Sequence, residues 1–316
     1  MSAGEPAIVV IGEALVDIVH RGDVSDESPG GSPANVALTL GRLGHGPRLV
    51  TRLGRDERGD AVRSWLGAAG VTVDAVDAPR TSSATARLDA HGAATYEFDI
   101  DWDLGGAEIG EADVVHVGSI AALLDPGARD VAELVTSRRG AATITYDPNI
   151  RPSLVPDRDT ARARVEGLVD LADVVKASDE DLAWLYPDVD PVDAARVWLA
   201  RGPALVVVTR GSSGVVAVIR SGAIELPAVA ADVVDTVGAG DTFMGALIDG
   251  VIAAGLAGAE QRTDLRNIAP DALVAILRFA ARAAAITVSR PGADPPTRTE
   301  LTTDFSRPHA AASTKG

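Results

Sequence analysis

Short runs of consecutive apolar residues alternate with stretches of helical period along most of this chain. Segments 7–11, 48–51, 114–117, 143–146, 174–176 and 205–209 are continuously apolar and read as strands buried on both faces. Between them, 33–43, 58–69, 127–137, 160–171, 179–185 and 191–200 carry apolar residues at helical spacing. This alternation predicts an α/β fold of three layers, a mainly parallel sheet with helices on both faces. Later, 215–219 and 223–226 predict a hairpin turned at Ser221-Gly222, and 241–254 and 271–289 predict two helices. Two regions break the rhythm. Segment 14–21 alternates like a half-buried strand, and 84–89 with 94–100 predicts a hairpin through His91-Gly92. These pieces cannot bury both of their faces by themselves.

Chemistry enters at Asp235-Thr236-Val237-Gly238-Ala239-Gly240-Asp241-Thr242-Phe243. The stretch reads as a strand end, a turn with two glycines, and a helix opening near Asp241. Backbone N–H groups converge in such a turn without interference from Cβ atoms. The helix behind it adds unpaired N–H groups and the positive end of its dipole. Gly238, Ala239 and Gly240 therefore predict an anion site suited to a transferring phosphoryl group. A fixed carboxylate there would repel a phosphate. Asp241 is explained if it is the general base that takes the proton of an attacking hydroxyl. An acidic residue that merely suits the first turn of a helix is the plain alternative.

Far upstream, Gly30-Gly31-Ser32-Pro33-Ala34-Asn35-Val36-Ala37 runs into Leu40, Leu43 and Gly44. Together with the Gly-Ala-Gly-Asp segment, this resembles the ribokinase-like (PfkB) carbohydrate kinase family, in the order the family shows. The resemblance runs from Ile8 to about Leu301. It implies one ribokinase-like domain over 1–302, with β-lid segments near 13–29 and 80–108 closing over a sugar; the small, polar residues of 303–316 read as a disordered tail. It is also compatible with a homodimer through the lid. Tyr96, Phe98 and Trp102 stay open to three readings: lid packing, a neighbouring subunit, or the substrate.

The resemblance also implies a site, residue by residue. Asp17, in the opening Gly12-Glu13-Ala14-Leu15-Val16-Asp17 motif, would accept hydrogen bonds from sugar hydroxyls; a solvent-facing Asp on an edge strand is the other reading. Gly30, Gly31 and Asn35 would border the sugar. Ser32-Pro33 reads locally as an N-cap followed by a proline at the first helical position. It is also the form of fructokinase-like members, where ribokinases carry Gly-Gly-Lys-Gly. Asp147-Pro148-Asn149-Ile150-Arg151 resembles the DPNxR segment, giving Arg151 a role on substrate or phosphate. Val155 replaces the tryptophan often found just after it. Lys176, Ser178 and Asp181 match the KxNxxE segment near metal and phosphates, with Asp181 as an Mg²⁺ contact and a capping box as the competing reading. Thr209, Gly211 and Gly214 match the TxGxxG loop beside ATP. Asp235 and Val237, with the loop at 289–293, match the place of a monovalent cation. ATP, Mg²⁺ and K⁺ are thus the implied cofactors.

Composition narrows the classes. The 316 residues carry 45 acidic against 29 basic groups, a net charge of −16, which argues against nucleic acid or an anionic membrane as partner. No cysteine is present, so thiolate catalysis and disulfides are excluded. The start lacks the basic and apolar regions of a signal peptide, and no apolar run reaches spanning length, which reads as a cytoplasmic protein. No GxxxxGK[ST] occurs, and Ile11-Gly12-Glu13-Ala14 is not a dinucleotide-binding turn. The expected activity is therefore transfer of the ATP γ-phosphoryl group to a primary hydroxyl of a small unphosphorylated sugar, fructose favoured. Inside the family the alternatives are a 2-keto-3-deoxygluconate kinase, a ribokinase or a nucleoside kinase. A non-catalytic sugar sensor on the same fold is the alternative of a different class.

Overall fold

The computed structural model describes residues 6–21, 24–88, 94–155 and 157–303. Its strands, in chain order, are Ile8–Ile11 (β1), Leu15–Arg21 (β2), Val24–Gly30 (β3), Arg48–Gly54 (β4), Thr72–Ala78 (β5), Ser83–Leu88 (β6), Ala94–Asp99 (β7), Val114–Gly118 (β8), Thr143–Asp147 (β9), Val174–Ser178 (β10), Leu205–Thr209 (β11), Val215–Ile219 (β12) and Gly222–Leu226 (β13). The helices are Ser32–Arg42 (α1), Glu57–Gly67 (α2), Gly127–Arg138 (α3), Arg158–Leu171 (α4), Asp179–Leu185 (α5), Pro191–Arg201 (α6), Ala239–Ala253 (α7), Arg262–Arg266 (α8), Pro270–Val288 (α9) and Arg298–Thr303 (α10).

Nine strands form the large sheet, in the order β13-β12-β11-β10-β9-β8-β1-β4-β5. The seven from β11 to β5 run parallel, while β12 and β13 add an antiparallel edge. Successive side chains of a strand point to opposite faces, and β1 shows the consequence. Ile8 and Val10 join a core built with α1, α7 and α9, whereas Val9 and Ile11 join a second core built with α3, α4 and α6. Those two cores, one on each face, make the three expected layers. The small sheet has the order β3-β2-β6-β7.

All six predicted buried strands form: β8, β9 and β10 run one or two residues longer and β4 three longer, β11 matches, and β1 starts one residue later. Two strands were not foreseen. β3 reads VSDESPG, with one apolar side chain besides its proline, and exists through antiparallel pairing with β2. β5 is the half-exposed edge of the large sheet. The pairing of β2 with both β3 and β6 also moves Asp17 away from the edge position that its plain reading required. The turn expected at His91-Gly92, the Tyr96 side chain and the expected tail, save for the last residue of α10, lie outside the described residues. Trp102 resolves to packing: it is 4% exposed in the second core and its Nε1–H donates to the Ala121 carbonyl at 2.9 Å. Among the described residues no helix is long and apolar enough to cross a membrane.

Candidate active site

In an open parallel sheet, ligand sites form beyond the carboxyl ends of the strands. Here β1, β8, β9, β10 and β11 end at Ile11, Gly118, Asp147, Ser178 and Thr209, and the segments that follow them assemble one site. The start of α7 faces it. Gly238 is the N-cap with φ 73°, a left-handed conformation that glycine adopts freely. A Cβ there would also lie 2.5 Å from that of Ala293. α7 therefore opens at Ala239, two residues before the expected Asp241, because the glycine itself turns the chain. Ala239, Gly240 and Asp241 form the first turn, where helical N–H groups lack intrahelical acceptors. The Ala239 N–H makes only a long 3.4 Å bond to Thr236.

Asp241 is buried, and its carboxylate is held from two other elements. Ser32 Oγ donates to Oδ1 at 2.6 Å, Asn35 Nδ2 donates to Oδ2 at 2.8 Å, and Asn149 Nδ2 reaches Oδ1 at 3.4 Å. The expected N-cap role of Ser32 is corrected here. Gly31, with φ 104°, is the N-cap of α1, no side chain caps it, and Ser32 turns its hydroxyl to Asp241 instead. A Cβ on Gly31 would stand 2.6 Å from the Glu13 carbonyl, so the strand–helix junction needs glycine. Asn35 Oδ1 is buried with no partner. An orphaned acceptor beside Asp241 is unusual in a folded interior and suits a substrate hydroxyl.

Asp17 lies across the same space. Burial pushes its carboxyl up to about 6; the Arg151 charge opposes the shift and the Asp241 charge adds to it. These three groups therefore feel one another's fields. A Cβ on Gly30 would run into the Asp17 carboxylate. Arg151 is exposed and, among the described residues, pairs with no carboxylate; its Nη1 donates to Asn149 Oδ1 at 2.7 Å. Asn149, at φ 35°, is held by this bond with its amide toward Asp241.

Beneath the glycine turn, Lys176 Nζ donates to Asp147 Oδ2 at 2.9 Å, both side chains buried. A Cβ on Gly240 would lie 3.0 Å from that ammonium, so the cation sits directly against the turn. Burial opposes the charge, but Asp147, Asp181 and Asp241 together hold Lys176 above its ordinary range. His116 is pushed down to about 3 by burial and by the Lys176 charge, and is neutral. Asp181 and Ser178 form a capping box on α5, with reciprocal bonds of 3.0 Å, and Asp181 Oδ1 also accepts from the Ile150 N–H at 2.8 Å. Asp181 thus ties α5 to the segment that carries Asn149.

Thr209, Gly211 and Gly214 line a cavity of about 640 Å³ that ends at Ala239 and Gly240. Asp235 straps its margin: Oδ1 accepts from the Val237 N–H at 3.0 Å and Oδ2 from the Gly292 N–H at 2.9 Å. The motif residues expected at the site lie in or beside this assembly, while Trp102 belongs to the second core. Ser32, Asn149, Asp147 and Glu13 carry more than their motifs suggested. Glu13, pushed up to about 7 chiefly by burial, accepts from the Ala121 N–H at 3.2 Å. Their signal was only their place inside quoted motifs, since their partners are distant in sequence.

Open first-turn N–H groups, a buried cation under them and a hydrogen-bonded carboxylate beside them suit a small-molecule phosphotransferase on a three-layer α/β fold. Comparison with known proteins agrees. Residues 5–300 match the family described as pfkB family carbohydrate kinase. A fructokinase of Klebsiella pneumoniae is 34% identical over 283 residues, covering 85% of this chain and 90% of its own. The structure of a Xylella fastidiosa fructokinase with bound ATP superposes with a TM-score of 0.82 at 28% identity, covering 94% of this chain and 97% of its own. That of a Vibrio cholerae fructokinase in a fructose-, ADP- and calcium-bound form gives 0.77 at 25% identity, covering 94% and 98%. The chain belongs to the pfkB family of carbohydrate kinases.

Proposed function

We propose that this protein transfers the γ-phosphoryl group of ATP to a primary hydroxyl of fructose. The observation that carries the reading is the Asp241 carboxylate, held by Ser32 and Asn35 at the open first turn of α7. The similar fructokinases bind ATP in one case and fructose with ADP in the other. An unphosphorylated sugar fits the acceptor side, because a second phosphate there would face both Asp17 and Asp241.

In the reaction the sugar hydroxyls donate to Asp17 and to Asn35 Oδ1, and the Gly30-Gly31 backbone borders them. The proton of the attacking primary hydroxyl passes to Asp241 as its oxygen attacks the γ-phosphorus. The bond from that phosphorus to the β-bridging oxygen breaks, and ADP leaves with the electron pair. Lys176 and the first-turn amides of Gly240 and Asp241 stabilise the charge on the transferring group. Arg151 adds positive charge on the acceptor side. Among the described residues no three acidic or imidazole groups cluster as a metal cage. That fits Mg²⁺, which is held mainly by phosphates and water. Asp147, whose Oδ1 is buried without a partner, and Asp181 are the acids that would complete its shell. The ion supplies charge neutralisation on the phosphates. We place a monovalent cation, potassium, at the Asp235–Val237–Gly292 strap, and the protein in the cytoplasm.

The test is ADP release from Mg·ATP with fructose, ribose, 2-keto-3-deoxygluconate, adenosine, fructose 6-phosphate or no acceptor, each in KCl and in tetramethylammonium chloride. Fructose is expected to give the highest kcat/KM, with KCl raising it. Another preferred acceptor would overturn the substrate, equal rates in both salts would overturn the potassium site, and no turnover would leave a sugar-binding protein.

Asp17 gives this reading a pH signature. Its proton is lost only near pH 6, so below that the sugar meets a neutral carboxyl with one acceptor fewer. The KM for fructose is expected to rise as pH falls through 6 and to be flat above it. Asp17→Asn should raise KM about tenfold or more, since a hydrogen bond to a charged group contributes about 1.5–3 kcal/mol, and should flatten the profile. The variant separates Asp17 from Glu13, which titrates nearby. A wild-type KM constant from pH 5 to 8 would remove Asp17 from the site.

A further inference from the structure

We infer that the base end of the nucleotide cavity discriminates weakly among nucleobases, so that guanine, hypoxanthine and uracil nucleotides serve as donors alongside ATP. The inference rests on the phosphotransfer reading and deepens it.

The cavity lies between the segment joining β13 to α7 and one face of α9. Pro227, Val229 and Val233 wall one side, and Ala281, Ala284 and Val288 the other. Among the described residues that line it, the only polar side-chain atoms are the hydroxyls of Thr209, Ser212 and Thr236, and none contributes a carboxylate, carboxamide, imidazole or guanidinium. Thr209 closes β11 and donates to the Ala177 carbonyl at 3.4 Å, and Thr236 precedes the glycine turn; both stand at the phosphate end.

Telling adenine from guanine requires a donor and an acceptor fixed against the ring edge, because the two bases present opposite groups there. A site built that way rejects the wrong ligand by about 10⁴–10⁵, whereas apolar walls discriminate by only about 10–200-fold. The walls here are of the second kind. Their apolar surface is also uncovered: Val229 is 43% and Val233 66% exposed. Four of the six exposed large apolar side chains among the described residues, Val229, Val233, Val234 and Val237, lie on this segment. A ring of any nucleobase covers such a surface equally, through dispersion and loss of water contact.

The test has two arms on the full-length protein. Calorimetric titration with ADP, GDP, IDP and UDP is expected to give dissociation constants within about 200-fold of one another. Turnover of fructose with ATP, GTP, ITP and UTP should show kcat/KM values in the same span. Ala284→Leu, which fills the base end from α9, should weaken all four diphosphates together. A preference for ADP beyond about 200-fold overturns the inference, since peptide groups of the segment then read adenine. Loss of ADP binding alone in Ala284→Leu overturns it as well. Binding of none of the four overturns it together with the phosphotransfer reading. Comparable binding of all four without turnover upholds it and overturns that reading alone.

Discussion

Asp241→Asn is expected to lower kcat by about 10²–10⁴-fold, the usual contribution of a general base, while fold and nucleotide affinity persist. The substitution is close to isosteric, and the site can absorb it. Ser32 Oγ can still donate to the new carbonyl oxygen in the place of Oδ1. The new NH₂ would face Asn35 Nδ2, but Asn35 carries an unused Oδ1, so a flip of its amide restores the bond. What is lost is the lone pair that receives the hydroxyl proton. The first-turn amides and Lys176 stay in place, and each donor of this kind is worth about 2.7–4 kcal/mol to the transition state. ADP affinity should therefore stay close to wild type. The check is kcat from ADP release, with ADP titration calorimetry and thermal unfolding alongside. Near-wild-type kcat would show that Asp241 only shapes the helix start.

The second large effect concerns stability, at the opposite, amino ends of the central strands. Asp173 precedes β10 and is 2% exposed. Its carboxylate accepts from Arg139 Nη1, from Arg262 Nε at 2.9 Å and from the Ile144 N–H at 2.9 Å. Arg262 also donates to the Ala142 carbonyl at 2.6 Å. This knot fixes the amino ends of β9 and β10 to α8. Asp173→Ala would leave two guanidiniums and a peptide N–H without their acceptor. The expected loss is about 3 kcal/mol, the low end for a broken buried pair, because both arginines keep some water contact. Equilibrium urea unfolding measures it, and kcat of the folded variant should match wild type. A change under about 0.5 kcal/mol would mean that water replaces the carboxylate without cost.

How much of this was readable from sequence depends on where each residue finds its partner. The buried strands of the large sheet announce themselves because both faces are apolar, so β1, β8 and β11 needed no tertiary information. β3 carries no such signal: Asp26, Glu27 and Ser28 would suit a loop, and only the register with β2 makes a strand of them. The capping box of Ser178 and Asp181 is local and its pattern was legible, whereas α7 starts two residues before the expected Asp241 because the Gly238 turn comes first. Ser32 was misread for the complementary reason. Serine before a proline usually caps, and nothing nearby shows that its hydroxyl is committed to a carboxylate 209 residues away. Trp102 likewise could not be told from a binding aromatic until the Ala121 carbonyl appeared beside its indole.

The buried Lys176 also decides how the molecule can be handled. The chain contains one other lysine, Lys315. Acylating reagents need a free, accessible amine, and Lys176 is 4% exposed and held as an ammonium. Succinimidyl esters at neutral pH therefore spare Lys176. A dye, a biotin or a surface tether attached through ordinary amine chemistry leaves the Lys176–Asp147 pair beneath the glycine turn unmodified.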